Sequence, residues 1–418
     1  MNKYSFIQRL KVNNHSIRCW PYPYQAGLSI SNDAEFMNFN FFEILMKFLN
    51  TKSKTYLGDG LGLDISSSFF FYSAHSSNFS YFHGIDKKDK KQDYAGRLED
   101  YIKHGWIDTI HGYGDFDLVG GFNRFYAQNC MDSLEKIGTK IPIFSNHGGI
   151  ENIQNIGLDA DYHCGDRKNH TAYHSDLLIH HGVRYIWTDS MITQRQQEKS
   201  SKNFRSFIVK FIRKHSSSQK IYSSNPSDVL IFAPLRDRSV FKGFRRFRST
   251  GINAPNLSSL GYQIQQIPWE HFYQNHGAII LYQHFGVLYR MGGKCVASSI
   301  EAMKERPEVY LSPFYFLEQE FQSGRLWIAS LADFLNYVDM VESITINKSE
   351  DGIWQIHSSK SIDDPQKYYQ GLTIYVDPTK NIKLIANGKE LAIYNNGPDE
   401  NGYYSVSVIR KPKIDIWD

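Results

Sequence analysis

Residues 26–35 read AGLSISNDAE, an apolar run that breaks directly into Ser31, Asn32, Asp33, Ala34 and Glu35. The five-residue run AGLSI is too short for a helix and reads as a short buried strand. The polar residues after it place ionisable groups at the strand's C-terminal end, and a helix-periodic segment follows at 35–49. The same unit recurs along the chain. Apolar runs at 62–71, 106–110, 141–144, 184–187, 229–233, 278–282 and 325–328 alternate with helix patterns at 94–103, 122–137, 173–181 and 331–338. Such alternation predicts parallel strands covered by helices. The number of units favours a (β/α) barrel over an open sheet.

From residue 344 the period changes. SITINKSEDGIWQIHS, GLTIYVDPTKNIKLIANGKELAIYNN and YYSVSVIRK alternate apolar and polar residues, with turn signals at Asp351-Gly352 and Asn387-Gly388. The expected organisation is therefore an α/β domain over 1–343 and a small antiparallel β module over 344–418. The module reads as a cap on the barrel or as a contact surface for glycan or partner.

The 418 residues are 41% hydrophobic and 22% charged, the balance of a packed globular core. An aromatic fraction of 15% suits an aromatic core and suits sugar stacking equally. The N-terminus has no signal-like apolar run and no stretch approaches the ~20 apolar residues of a membrane span, so the expected location is the cytoplasm. Cys19, Cys130, Cys164 and Cys295 lack metal-knot spacing and are expected to be isolated reduced thiols. The net charge of +4 conceals a basic block: residues 201–250 hold twelve Lys and Arg against two Asp. Such a block seeks phosphate, an acidic glycan or a lipid surface. No nucleic-acid motif accompanies it, so nucleic acid is not an expected partner.

In α/β barrels functional side chains collect past the C-terminal strand ends. Here the strands run into Asn32, Asp33 and Glu35, into His111-Gly-Tyr-Gly-Asp115, into Ser145-Asn146-His147, into Thr188-Asp189, into Arg236-Asp237-Arg238 and into Gln283-His284. In HGYGD an imidazole and a carboxylate four residues apart can converge on one divalent ion, or can simply hydrogen-bond within a loop. Asp33 is the natural third ligand.

The segments GLSISNDAE, IHGYGDF and GAIILYQHFG resemble three landmarks of the polysaccharide deacetylase (NodB-like) superfamily, in order. That family opens on a strand ending in an Asp-Asp pair, continues with a His-x3-His metal loop and closes on a strand ending in a catalytic His. The resemblance covers residues 20–340 in layout and these short segments in residues. It implies a distorted NodB-like barrel and a divalent metal, zinc by preference, held by Asp33, His111 and Asp115, with His284 protonating the leaving group. Three positions depart from the pattern. Asn32 stands where the family has its catalytic-base Asp, so either Glu35 or another carboxylate supplies the base, or the chemistry has drifted, or catalysis is lost; Asp115 replaces the second metal His, and SNHGG stands near the place of an Arg-Pro-Tyr element.

Around this centre, Asn32, His147, Asp166, Arg236 and Arg238 are expected to contact substrate, Arg236 as a clamp for phosphate or carboxylate. The segment 161–176, DYHCGDRKNHTAYHSD, reads as a substrate loop, as polar surface or as a metal site through His170 and His174. Phe204, Phe207, Ile208, Phe211 and Ile212 recur at helical spacing opposite basic residues, so 204–248 could lie on an anionic membrane or pack on the barrel. The reading expected from all this is a metal-dependent hydrolase that removes an acyl group from a sugar, free or carried on a nucleotide or lipid, in surface polysaccharide biosynthesis. The alternatives are a metal-independent glycoside hydrolase or lyase using Asp33, Glu35 and Asp189, and a non-catalytic glycan-binding barrel.

Overall fold

The computed structural model describes residues 16–85, 90–148, 152–188, 191–193, 227–233, 235–237, 239, 243–251, 255–292, 294–349 and 352–411. It is a mixed α/β structure built on two mainly parallel sheets. The strands are β1 (Ala26–Asn32), β2 (Ser67–Phe69), β3 (Ile107–His111), β4 (Ile143–Ser145), β5 (Tyr185–Trp187), β6 (Met191–Thr193), β7 (Leu230–Phe232), β8 (Arg245–Phe247), β9 (Ser249–Gly251), β10 (Ala278–Gln283) and β11 (Leu326–Ile328). One sheet has the order β11-β1-β10-β9-β6 and the other β2-β3-β4-β5-β8-β7. Every residue of β1 is buried, as a parallel strand covered on both faces requires. Its register against β10 runs from Gly27↔Ala278 to Asn32↔Gln283, which sets Asp33 and His284 at neighbouring strand ends.

The sheets meet at two places. β8 and β9 are separated only by Arg248, so the chain steps from one sheet into the other there. On the opposite side the Asn32 side chain donates to Ser67 Oγ at 2.7 Å, linking β1 to β2. Helices α1 (Phe39–Asn50), α2 (Ala95–Lys103), α3 (Arg124–Ile137), α4 (Ser175–His180) and α5 (Leu331–Ser343) occupy the five places where helical periodicity predicts them. The N-caps of α1 and α3, Asn38 and Asn123, each accept a backbone N–H with the side chain. No helix of the described residues is long and apolar enough to cross a membrane.

The strand over 229–233 departs from expectation. It lies at an edge, antiparallel to β8, and β8 supplies the parallel partner of β5. The sequence FRRFR hides this strand behind its charges, which are neutralised inside the fold. Arg245 reaches Asp339 and Glu342, each at 2.7 Å. Arg246 is buried beside Asp159 and Thr188, and Arg248 donates to the Asp228 carbonyl. These arginines therefore do not form a solvated basic face. The amphipathic segment at 204–214 lies outside the described residues, as do Asp189 and Arg238.

The region from 344 onward forms two small sheets. The first is antiparallel except where Ile353–Ser358 runs parallel to Lys383–Ala386; the second joins Thr373–Tyr375, Ser405–Val408 and Ile393–Asn395 in antiparallel pairs. Both pack through a shared apolar cluster onto α5 and the N-terminal segment. Ile17 bridges Ile374. The Arg18 guanidinium meets Asp399 at 2.8 Å and Glu400 at 3.0 Å. Trp20, completely buried, stacks on Phe334 and Tyr337; burying such a ring contributes about 2–3 kcal/mol. Residues 16–24 are thus the strap between the module and the α/β domain.

Candidate metal centre

The β1 strand ends in Asn32 and Asp33, and these neighbours serve different ends. Asn32 donates to Ser67 and accepts from the Phe285 backbone N–H at 2.7 Å. An amide does both at once, and a carboxylate has no proton with which to donate. Asn32 is a buried structural bridge, not the substrate contact expected from sequence. Asp33 points the other way. Its Oδ2 accepts from the Tyr282 hydroxyl at 2.8 Å and lies 3.3 Å from His111 Nε2.

Glu35 is brought inward by a strained turn. Phe36 has φ 55, a conformation that non-glycine residues rarely adopt, and its N–H is taken by Asn78 Oδ1. The Glu35 carboxylate then lies 3.3 Å from His147 Nδ1 and 3.6 Å from His284 Nε2.

His111, from the end of β3, and His147, after β4, meet over one aromatic ring. Phe70 stacks on His111 and stands edge-on to His147, both with centroids 4.9 Å apart. The two imidazoles approach to 3.3 Å, Nδ1 of His147 to Nε2 of His111. The donor atoms of Glu35, His111 and His147 all lie within 4.8 Å of one another. Two imidazole nitrogens and a carboxylate oxygen are a donor set suited to zinc, with room for further ligands. The residues fit the ion that the sequence suggests, although the set differs from Asp33, His111 and Asp115.

Asp115 stands behind His147 instead. Its Oδ2 accepts from Ser73 Oγ and from the Ala74 N–H, and its Oδ1 faces His147 Nε2 at 3.5 Å, beside Asp117 at 3.3 Å. A carboxylate on the far nitrogen fixes an imidazole's orientation and raises its basicity. Gly148 makes this possible: at φ 72 it turns the chain where a Cβ would collide with the Asp117 carboxylate. Gln154 braces the HGYGD loop, accepting from Tyr113 N–H at 2.6 Å and donating to the Gly114 carbonyl at 2.7 Å.

The electrostatics follow this arrangement. Burial and the neighbouring His147 push His111 well below the ordinary imidazole range. Burial also disfavours charge on His147, but Asp115, Asp117 and Glu35 outweigh it and hold that ring protonated. Burial alone would raise Glu35; its bond to His147 and the nearby imidazoles instead depress it well below the usual carboxylate range. His284 is pushed down by burial, with Glu35 opposing. Its Nδ1 lies 3.0 Å from the Pro255 carbonyl, which can only accept, so that nitrogen carries the proton and Nε2 faces the site.

Other expected contacts lie elsewhere. Asp166 is fully buried and accepts the Arg236 N–H at 2.7 Å. The Arg236 guanidinium donates to the carbonyls of Gly157, Ala160 and His163. This pair ties down the loop after β4 and is spent on backbone, so Arg236 is no free substrate clamp. His170 accepts from Ala172 N–H, whereas His174 sits among Tyr113, Phe122 and Phe144; the two do not converge as ligands. A second donor group, Asp132, Glu135 and His181, has no buried member, so water competes for each of its atoms.

Sequence reasoning missed Phe70 and Tyr282 and assigned His147 to substrate. The signal for His147 was its place directly after a parallel strand, equivalent to that of His111. Comparison with family models, curated proteins and solved structures finds no match.

Proposed function

We propose that the protein is a metal-dependent hydrolase that removes an acyl group from a sugar or glycan, on a distorted (β/α) barrel. The observation that carries this reading is the convergence of Glu35, His111 and His147 beside a second carboxylate, Asp33, and a third imidazole, His284. The barrel reading is supported by strand order: β1, β10, β9/β8, β5, β4, β3 and β2 follow one another around the site, and Asn32 spans the remaining gap.

In this account Glu35, His111 and His147 would hold the ion, which would supply Lewis-acid polarisation of the acyl carbonyl. Asp33 accepts the proton of the attacking water. Tyr282 stands between Asp33 and His284, 2.8 Å from one and 3.3 Å from the other. Asp33 then returns that proton to the Tyr282 oxygen as the hydroxyl gives its own to His284 Nε2, which delivers it to the departing amine or alkoxide. Asp115 and Asp117 orient His147. The substrate is a carbohydrate, free or carried on a nucleotide or lipid, of the kind used in surface polysaccharide assembly.

The test is acetate release from acetylated amino sugars and their nucleotide- and lipid-linked forms by zinc-loaded protein. Release that is lost in Asp33→Asn while zinc is retained supports the reading. No release from any such substrate by fully loaded protein contradicts it.

A further inference from the structure

The two imidazoles of the metal centre are held by different means. His111 closes β3 and is fixed by the sheet, in register with Ser145. His147 lies two residues beyond Ser145, where β4 has ended and the chain is irregular. Side-chain amides take over there. Asn155 Oδ1 accepts the His147 N–H at 3.0 Å, and Asn155 Nδ2 donates to the His147 carbonyl at 3.0 Å. Asn152 Nδ2 donates to the same carbonyl at 2.7 Å. One residue earlier the pattern runs the other way: the Asn146 side chain accepts the Ile156 N–H at 3.0 Å and donates to the Ile156 carbonyl at 2.9 Å. A primary amide offers donor and acceptor side by side, so it can replace the peptide group of a neighbouring strand.

The clasp on His147 is itself anchored. Asn155 is 1% exposed, so water cannot stand in for it. Its carbonyl accepts the Gly165 N–H at 2.9 Å, and its own N–H donates to the Asn152 carbonyl at 3.1 Å. The approach is close: a Cβ on Gly165 would collide with the Gln154 carbonyl and the His174 ring. The preceding side chain, Gln154, bonds the HGYGD loop instead, at the Tyr113 N–H and the Gly114 carbonyl. Gln154 and Asn155 thus tie the loops after β3 and β4 to one short segment.

We propose that Asn155 is a positioning residue of the metal centre: by gripping both backbone groups of His147 it sets where Nδ1 of that imidazole stands against Glu35 and His111. This rests on the metal-centre reading above. Without the Asn155 side chain the His147 N–H is left buried and unpaired, and the backbone must shift to find a partner. A ring carried on a shifted backbone no longer presents its nitrogen in place, and outer partners of metal ligands typically contribute about 10–100-fold in affinity. Asn50 supplies a matched comparison. It makes the same two bonds on Ile65, each at 2.8 Å, and Ile65 is no ligand.

The experiment compares wild type, Asn155→Ala and Asn50→Ala in the intact protein. Competitive chelator titration reads zinc affinity, the visible spectrum of the cobalt(II)-loaded protein reads ligand geometry, and thermal unfolding reads stability. Both variants should melt below wild type. Asn155→Ala alone should lose about 10–100-fold in zinc affinity and show a changed cobalt spectrum. Should Asn155→Ala not fold, Asn152→Ala takes its place, with weaker zinc binding expected from the loss of one bond to the same carbonyl. Wild-type affinity with an unchanged cobalt spectrum in the folded variant overturns the proposal, and so does an equal loss of affinity in Asn50→Ala. The His147 imidazole resonances of the metal-free protein separate this proposal from the reading beneath it. A wild type that binds no metal overturns the metal centre; His147 signals that shift in Asn155→Ala but not in Asn50→Ala would then leave the positioning role standing, and signals unchanged in both would remove it as well.

Discussion

His147 Nδ1 lies 3.3 Å from His111 Nε2, although the two residues are 36 positions apart and follow different strands. Two buried imidazoles at this distance cannot both be cations. The surrounding carboxylates decide which one is charged: three face His147, and burial with repulsion keeps His111 neutral. In the metal-free protein the His147 proton neutralises the carboxylates that a divalent ion would otherwise neutralise.

Metal binding should therefore release about one proton at pH 7, because ligation needs the neutral imidazole. Glu35 is already ionised and His111 already neutral, so neither contributes. The sign follows: apparent affinity rises with pH up to the raised pKa of His147, by about tenfold per unit, and is flat above it. Calorimetric titration of zinc in buffers of different ionisation enthalpy measures the released proton. A heat independent of buffer would contradict this account of His147.

Asp115 acts on the metal through His147. Asp115→Asn should weaken zinc affinity about 10–100-fold without abolishing binding, the usual effect of losing an orienting carboxylate. A competitive chelator titration reads the change. Complete loss of metal would return Asp115 to the ligand role that the HGYGD spacing first suggests.

Asn32→Asp should harm the protein. The change removes the donor to Ser67 and buries a carboxylate between two strands. The expected cost is about 1–3 kcal/mol, read by denaturant unfolding, with no gain in turnover. A faster enzyme of undiminished stability would show that Asn32 stands in the reactive position.

Much of this site was legible in the sequence because strand ends are local features. The run Ala26–Asn32 into Asp33 and the run Ala278–Gln283 into His284 each announce where a side chain will stand. The pairing of those ends is non-local, yet parallel alternation implies it. Three features were illegible for physical reasons. The β8 strand carries Arg245 and Arg246, whose charges read as surface until Asp339, Glu342 and Asp159 are brought against them by distant segments. Asn32 reads as a lost base because its partners, Ser67 and Phe285, lie 35 and 253 residues away. The exchange of Asp115 for His147 depends on which way each side chain turns, and Ser73, Ala74 and Gly148 decide that.

His284 and Tyr282 should separate in a kinetic comparison. His284→Ala should lower turnover about 10²–10⁴-fold with metal content unchanged, since the ring is not a proposed ligand. Tyr282→Phe removes only the hydroxyl between Asp33 and His284. It should lower kcat by a smaller factor and alter the pH profile of kcat more than KM. Equal activity of wild type and His284→Ala would remove His284 from the mechanism.

The central claim is that Glu35, His111 and His147 form a metal site, and metal stoichiometry in single variants tests it most directly. Wild type, Glu35→Ala, His111→Ala, His147→Ala and Asp33→Asn are equilibrated with zinc, freed of excess and assayed by elemental analysis, with folding checked by circular dichroism. The account predicts about one equivalent in wild type and in Asp33→Asn, and loss of that equivalent in each of the other three. A folded His147→Ala protein that keeps its full equivalent of zinc, or a wild type that binds none, would contradict it.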